Sequence, residues 1–305
     1  MHGWIILDKP HGLGSTQAVA AVKRALRESG AGKVKVGHGG TLDPLATGVL
    51  PVAIGEATKL AGRMLDSDKI YDFTIAFGAQ TDTLDLEGAV IAQSDVRPTR
   101  GEVEAVLPRF TGPIEQAPPL YSAIKVDGQR AYDRARAGEA VEMKMRGVTI
   151  HSLAVISASG AEQALESITL TAHVSKGTYI RSLARDIALA LRTVGHVTML
   201  RRTKAGPFGL DGAISLDNLR QAANERAIAQ YLLPLTTGLD DIPALPVDPD
   251  QVLALRQGRI LDGARVATGL HLAMDGDIPI ALVEAGDGEI RVVRGFNLMS
   301  KEDDR

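Results

Sequence analysis

The sequence predicts an α+β protein in which a small β module follows a larger domain. Segments with strand and helix periodicity interleave, but they lack the regular strand–helix–strand repetition that builds a parallel sheet. Several predicted strands follow one another closely, as the strands of hairpins do. Towards the carboxyl end, short apolar runs alternate with glycine turns, which is typical of a compact β-barrel-like module. We therefore expect two domains, at residues 1–238 and 239–305.

The composition is that of an ordinary globular protein, with 45% hydrophobic and 23% charged residues in a chain of 305. The absence of cysteine excludes disulfides and thiolate metal sites. We expect a cytoplasmic protein, since the amino terminus lacks a secretory signal pattern and no apolar run is long enough to span a bilayer. The net charge of −3 gives no overall indication of nucleic-acid binding, so the local charge balance matters more.

Two elements are predicted before the central loop. Gly3–Leu7 is a short apolar strand that ends at the Asp8-Lys9-Pro10 run. A helix follows and runs to about Ser29, with Ser15 or Thr16 as its N-cap residue.

Three elements are predicted after the central loop. Pro51–Gly55 is a buried strand, Ala57–Leu65 a helix, and Tyr71–Phe77 a strand whose apolar residues alternate with polar ones. Tyr71 shares the apolar face of its strand. From this pattern alone, core packing is favoured for Tyr71 over a functional role.

The middle of the chain contains further alternating elements. Thr99 and Glu102 form a capping box before a helix that ends at Phe110. The other predicted elements are strands at Tyr121–Val126, Val148–Ile156, Leu165–Val174 and Thr198–Lys204, and helices at about Arg130–Ala137 and Ile180–Leu191. The acidic run Leu239–Asp250 is predicted to be an irregular linker because it contains three prolines.

The loop Gly37–Leu50 places one carboxylate, Asp43, among apolar side chains and glycines. An Asp-Pro pair is also a common turn opener, so a purely structural role is the alternative for Asp43. A carboxylate in apolar surroundings tends to protonate unless a cation or several N–H donors stabilise its charge. A functional Asp43 therefore requires a matching cation elsewhere in the chain.

Residues 176–204 are strongly basic, with a local net charge of +6. This asymmetry predicts an anion-binding surface, although some of these cations could only solvate a helix and a strand edge. The seven histidines are scattered without a metal-ligand spacing, and no phosphate-binding loop motif occurs. We therefore expect no cofactor and no metal.

Several motifs together resemble the TruB family of tRNA pseudouridine synthases. Gly40–Leu50 matches the pattern Gly-x-Leu-Asp-Pro-x-Ala-Thr-Gly-x-Leu of the family's catalytic loop. Lys9-Pro10-x-Gly12 resembles its amino-terminal motif, although Gly14-Ser15-Thr16 departs from the usual Thr-Ser or Ser-Ser. Three further runs resemble family segments in the family's order: Gly78–Thr83, Gln116–Lys125 and Lys176–Arg181.

The resemblance implies a mixed, mostly antiparallel central sheet flanked by helices, which is the pseudouridine synthase fold. It also implies an RNA-gripping thumb insertion at about residues 117–147 and a carboxy-terminal PUA-like domain. The family isomerises the uridine at position 55 in the T-loop of tRNA to pseudouridine, acting on a base flipped out of its stack. The expected partner is therefore tRNA, and we expect a monomer that does not bind membranes.

The resemblance also implies roles for individual residues. Asp43 is the expected nucleophile, and it needs no base because an aspartate is already anionic at neutral pH. Arg181 matches the family's active-site arginine and supplies the required cation. Tyr71 is the expected stacking and proton-handling tyrosine. The remaining expected substrate-binding residues are His38, Tyr179, Leu200 and Lys176.

The sequence leaves open the chemical role of Asp43 and two alternative functions. The carboxylate of Asp43 could attack the base ring, attack the sugar carbon or abstract a sugar proton. A non-catalytic RNA-binding module is the alternative from another class, but such a module has no use for a buried acid. A glycosidase with paired carboxylates is disfavoured, because no second acid is evident opposite Asp43.

Overall fold

The computed structural model describes residues 1–121 and 143–298, together with the backbone of the strand pair 125–126 and 129–130. The predicted helix at 130–137 and most of the predicted thumb lie outside the described residues. The described helices are α1 Ser15–Glu28, α2 Ala61–Asp66, α3 Arg100–Val106, α4 Ile180–Ala190, α5 Leu216–Asn224 and α6 Pro249–Arg256. Short 3₁₀ helices span Gly55–Leu60, Leu107–Phe110, Ile228–Tyr231 and Leu235–Leu239.

The described strands belong to four sheets. Ten strands form the central sheet: β1 Gly3–Lys9, β2 Val36–His38, β3 Thr47–Ile54, β4 Lys69–Phe77, β7 Gly112–Gln116, β10 Arg146–Ala161, β11 Ala164–Val174, β12 Gly195–Ala205, β13 Phe208–Gly209 and β14 Ile214–Ser215. Two hairpins consist of β5 Ala79–Thr81 with β6 Val90–Gln93, and β8 Lys125–Val126 with β9 Gln129–Arg130. The fourth sheet contains β15 Ala244–Pro246, β16 Leu261–Asp262, β17 Gly269–Asp275, β18 Ile278–Gly286 and β19 Glu289–Gly295.

The central sheet is mixed and mostly antiparallel, which confirms the predicted fold class. Its order is β14-β1-β3-β12-β4-β11-β10-β7, with β13 beside β12 and β2 beside β3. The pairs β1–β14 and β3–β12 are parallel, whereas the other pairs are antiparallel. The parallel β3–β12 pair brings the strand after the central loop beside the strand that carries Arg201 and Arg202.

The central sheet is covered on both faces, as strand β1 illustrates. Ile5 and Leu7 point into a core shared with α1, α4 and α5, whereas Trp4 and Ile6 point into a second core on the opposite face. Successive residues of a strand point to opposite faces, so a strand buried on both sides has a continuous apolar sequence. The apolar run at the amino terminus is therefore explained by burial on both faces.

The carboxy-terminal sheet packs on the second core through residues such as Leu272, Leu282 and Phe296. Here the predicted irregular linker is wrong. Ala244–Pro246 forms an edge strand parallel to β17, and Pro249 occupies the first turn of α6. Proline is compatible with an edge strand and with the first helical turn, because neither position requires its missing N–H group.

The cap of α1 also differs from the prediction. Gly14 is the N-cap residue, and its N–H donates to Oε1 of Gln17 at 2.9 Å. The hydroxyl of Ser15 instead bonds to both backbone groups of Leu42, accepting from its N–H at 2.8 Å and donating to its carbonyl at 2.9 Å. The serine that was expected to cap a helix therefore fixes the central loop.

Candidate active site

A cavity of about 340 Å³ lies where the central loop meets β4, β12 and the start of α4. Its lining includes four predicted site residues besides Asp43, namely Tyr71, Tyr179, Arg181 and Leu200. Small-molecule sites in proteins have volumes of the same order, a few hundred Å³. The cavity is therefore large enough for one planar base together with part of its sugar.

The backbone of the central loop is anchored on both sides of Asp43. Leu42 is held by the Ser15 hydroxyl, and the carbonyl of Pro44 accepts from the N–H of Gly12 at 2.8 Å. The buried ammonium group of Lys9 donates to the carbonyls of Leu13 at 2.6 Å and Pro44 at 3.4 Å. Contacts with the amino-terminal motif thus hold the Asp43 backbone from both neighbours.

The carboxylate of Asp43 forms an ion pair with Arg181. Oδ2 of Asp43 lies 2.8 Å from Nη2 of Arg181, and the Asp43 side chain keeps 43% of its surface exposed towards the cavity. Arg181 lies in the first turn of α4 and is buried. The cation that the sequence requires for Asp43 is therefore present in direct contact.

Arg181 is itself fixed by groups that sequence reasoning missed. Nη1 lies 3.0 Å from Oδ2 of the buried Asp85 and donates to the carbonyl of Thr83 at 2.8 Å. Nη2 also donates to the carbonyl of Tyr121 at 3.0 Å. The sequence contains the neighbouring Thr-Asp-Thr run, but nothing in that run indicates that Asp85 contacts a residue 96 positions away.

Asp85 is enclosed by donors and does not form an open acid pair with Asp43. Besides Arg181, it accepts from the Thr83 hydroxyl and from the N–H of Glu87 at 3.0 Å. Its side chain is only 3% exposed. A carboxylate buried and bonded in this way positions Arg181 and has no surface free for a substrate.

Arg202 lines another part of the cavity wall and is also buried. Its Nε donates to the carbonyl of Val49 at 2.7 Å, and Nη2 donates to that of Gly40 at 3.2 Å. Nη1 lies 3.4 Å from the Tyr71 hydroxyl, which accepts from it. Arg202 therefore connects both ends of the central loop to Tyr71, although the sequence indicated only that it belonged to a basic run.

Two buried lysines add positive charge near the central loop and the cavity. Burial lowers the pKa of Lys9 to about 8; the charge of Asp43 opposes this shift and that of Arg202 adds to it. Burial also lowers the pKa of Lys69, a cavity-lining residue, to about 8, again with a contribution from Arg202. Lys69 donates to the carbonyls of Met64 at 2.9 Å and Leu65 at 2.7 Å.

The structure does not bring two predicted residues into the cavity lining. His38 lies in β2, half-buried, and its Nδ1 is buried without a hydrogen-bond partner among the described residues. Burial lowers the pKa of His38, and Arg202 lowers it further. Lys176 is exposed, with Nζ 2.9 Å from Oδ1 of Asp66.

The basic run 176–204 is spread over several faces of the protein, and anion binding by its remaining cations stays a prediction. Arg181 and Arg202 point inward, Arg201 pairs with Asp8 at 2.8 Å, and Arg185 pairs with Asp186 at 2.8 Å. Helical and strand periodicities distribute these residues over different faces. Several cations of the run are therefore buried or paired with carboxylates of the protein itself.

Comparison with protein families gives a match over most of the chain. Residues 23–180 match the family described as "TruB family pseudouridylate synthase (N terminal domain)". This chain belongs to the TruB family. Residues 181–240 match the description "tRNA pseudouridylate synthase B C-terminal domain". The chain is thus an enzyme of the pseudouridine synthase class, an isomerase that converts uridine to pseudouridine.

Curated relatives and solved structures agree with this assignment. Proteins named tRNA pseudouridine synthase B are 64% identical in Novosphingobium aromaticivorans, over 97% of both chains, and 62% identical in Zymomonas mobilis, over 97% of this chain and 96% of the relative. A chain in the crystal structure of a Cbf5–Nop10–Gar1 complex is 28% identical, with a TM-score of 0.69, over 93% of this chain and 78% of the other. This structural neighbour supports the fold.

The helices in the described part of the chain include none that is both long and apolar enough to cross a membrane.

Proposed function

We propose that this TruB family enzyme acts on uridine 55 in the T-loop of tRNA, with Asp43 as the nucleophile on a flipped-out base. The names of the relatives support tRNA as the substrate. The observation that carries the proposal is the ion pair between Asp43 and Arg181 at the cavity. A guanidinium stabilises the ionised form of a carboxylate most strongly where water is excluded.

The reaction requires the uridine to leave its stack, which costs a few kcal/mol. An aromatic side chain returns roughly 1–3 kcal/mol per stacked base. Tyr71 lines the cavity, its hydroxyl accepts from Nη1 of Arg202 at 3.4 Å, and its ring is the stacking surface in this proposal. Leu200 is buried and supplies an apolar wall, and Tyr179 lines the cavity at the start of α4.

The chemistry is an internal rearrangement with no net loss of atoms. The bond between N1 of uracil and C1′ of ribose breaks, and a bond between C5 and C1′ forms. C5 loses its proton, and N1 gains one. Asp43 supplies the anionic carboxylate for the bond-breaking step, and Tyr71 is the nearby proton-handling group in this proposal.

The catalytic domain in this proposal spans residues 1–238, and its RNA-contacting thumb insertion is assigned to residues 117–147, most of which lie outside the described residues. The proposed substrate-binding set includes His38 and Lys176, which lie outside the cavity lining, where displaced nucleotides or phosphates would pass. Residues 239–305 form the accessory PUA-like domain. The enzyme needs neither cofactor nor metal for this isomerisation.

The test is tritium release from tRNA labelled at C5 of uridine. A transcript with uridine at position 55 should release one tritium per molecule, because the C5 proton is lost there. A matched transcript labelled in the same way but with cytidine at position 55 should release none, while binding the enzyme comparably in a filter assay. Equal release from both transcripts would show that another uridine is the target.

A further inference from the structure

A cluster of three potential metal ligands comes from three segments that neighbour one another at the central sheet. Asp68 directly precedes β4, His151 lies in β10, and His173 lies in β11. The sheet order places β4, β11 and β10 side by side. Residues 105 positions apart in the chain are thus brought together, which explains why no local metal motif occurs in the sequence.

A β-bulge brings the two histidines to the same spot. In the pairing of β10 with β11, Ile150 lies opposite Val174 and Ser152 lies opposite His173, so His151 is the extra residue of the bulge. Bulges redirect side chains and are frequent beside functional sites. The two imidazole rings lie 4.7 Å apart between centroids, tilted by 45°.

The ligand atoms are spaced closely enough to surround one cation. Nε2 of His151 lies 3.1 Å from Oδ2 of Asp68, Nε2 of His173 lies 3.8 Å from the same oxygen, and one ligand atom from each residue falls within 4.8 Å of the others. Tetrahedral zinc has nitrogen and oxygen ligands at about 2.0–2.2 Å, so neighbouring ligand atoms are about 3.3 Å apart. Small side-chain rotations therefore suffice to close the site.

The backbone that carries these ligands is held by regular structure. Val174 pairs with Lys69 in the β11–β4 ladder, and the carbonyl of Asp68 accepts from the N–H of Gly206 at 3.0 Å. The three side chains themselves stay 37–47% exposed. A cation bound there would keep at least one coordination position open to water.

We propose that Asp68, His151 and His173 form a binding site for a divalent transition-metal ion of the zinc class. Two imidazoles and one carboxylate suit zinc, copper, nickel or cobalt, whereas magnesium and calcium prefer oxygen ligands. Lys69 and Val174 line the cavity, whereas His173 is the strand neighbour of Val174 and points to the opposite face of β11, so the cluster is separate from the cavity lining. This ion is not a reactant in the isomerisation.

The site is tested by titrating the full-length, tRNA-free protein with Co²⁺, followed by visible absorption, and with Zn²⁺, followed by calorimetry. The wild type should bind one equivalent of either ion. His151→Ala, His173→Ala and Asp68→Asn should each weaken binding by at least about tenfold, since even second-shell changes cost that much. His11→Ala removes an exposed histidine outside the cluster and should leave the affinity unchanged.

Circular dichroism and thermal melting of each variant show whether it is folded, so a lost affinity is not mistaken for a lost fold. Uptake of neither ion by the wild type would overturn the proposal. Wild-type affinity in folded His151→Ala and His173→Ala would overturn it as well, and would leave the histidines as contacts of Asp68 without a metal-binding role. Because the readout is metal binding, failure here does not bear on pseudouridine formation.

Discussion

The two walls of the cavity hold their buried cations in different ways. On one wall, Arg181 lies between two carboxylates, those of Asp43 and Asp85. On the other wall, Arg202 and Lys69 donate to backbone carbonyls. The carboxylate wall fixes Asp43, the proposed nucleophile, whereas the carbonyl wall fixes loop backbone through Arg202 and Lys69.

From this difference we expect that removing Arg181 mainly lowers turnover, whereas removing Arg202 mainly lowers stability. A cation paired with a reactive carboxylate should affect turnover most when it is removed. A cation that holds several carbonyls should affect folding most, because its loss leaves buried acceptors without donors.

Arg181→Met should lower kcat by about 10³-fold, or about 4 kcal/mol, because Asp43 loses the cation that orients it. Single-turnover tritium release from tRNA measures the effect. Arg185→Met, on the same helix but paired with Asp186, is the matched control and should cost less than about tenfold. Equal losses in both variants would remove the special role of Arg181.

Arg202→Met should lower the free energy of unfolding by about 3 kcal/mol, because the buried carbonyls of Val49 and Gly40 lose their donor. Urea denaturation measures this change. Arg220→Met removes an exposed arginine paired with Asp217 and should change stability by less than about 0.5 kcal/mol. If Arg202→Met were as stable as this control, the carbonyl wall would not be stabilising.

Asp85→Asn should cost about 2 kcal/mol of stability, since a charge-assisted hydrogen bond to a buried arginine is weakened. It should also lower kcat with little change in KM, because Asp85 acts on the reaction only through Arg181. The matched control is Glu104→Gln, which breaks an exposed pair with Arg100. A change in KM alone would indicate direct contact of Asp85 with the RNA.

Lys69→Met should alter how stability depends on pH. The pKa of Lys69 is about 8 in the folded protein and about 10.5 in the unfolded chain, so the unfolded state binds more protons between these values. The contribution of Lys69 to the free energy of unfolding should therefore rise by about 1 kcal/mol from pH 7 to pH 9. Urea denaturation of both proteins at both pH values measures this change. From pH 7 to pH 9, the free energy of unfolding of the wild type should rise relative to that of Lys69→Met. An unchanged difference between the two proteins would contradict this.

Much of the fold follows from local sequence patterns. Alternation marks β4, and the Thr99–Glu102 capping box lies at the start of α3 as predicted. The predicted helix at Ala57–Leu65 is a 3₁₀ segment followed by α2. The spacing of apolar residues in the sequence does not distinguish these two helix types. The strand Ala244–Pro246 was missed because its formation depends on β17, a tertiary neighbour.

The candidate site likewise contains contacts that the sequence predicted and contacts that it did not. The cost of desolvating Asp43 required a cation, and the family resemblance indicated Arg181. In the structure, Nη2 of Arg181 lies 2.8 Å from Oδ2 of Asp43. The catalytic roles of both residues stay predictions. The contacts of Asp85 and Arg202 with Arg181 and the central loop were not predicted, because these partners are distant in sequence. Only the folded chain shows that Ser15 holds the central loop and does not cap a helix.

The central claim is that Asp43, held by Arg181, carries out the isomerisation. Single-turnover tritium release by Asp43→Asn on C5-labelled tRNA, with tRNA binding measured in parallel, tests it most directly. We expect no release above background and binding within a few-fold of wild type. Release at the wild-type rate would contradict the account.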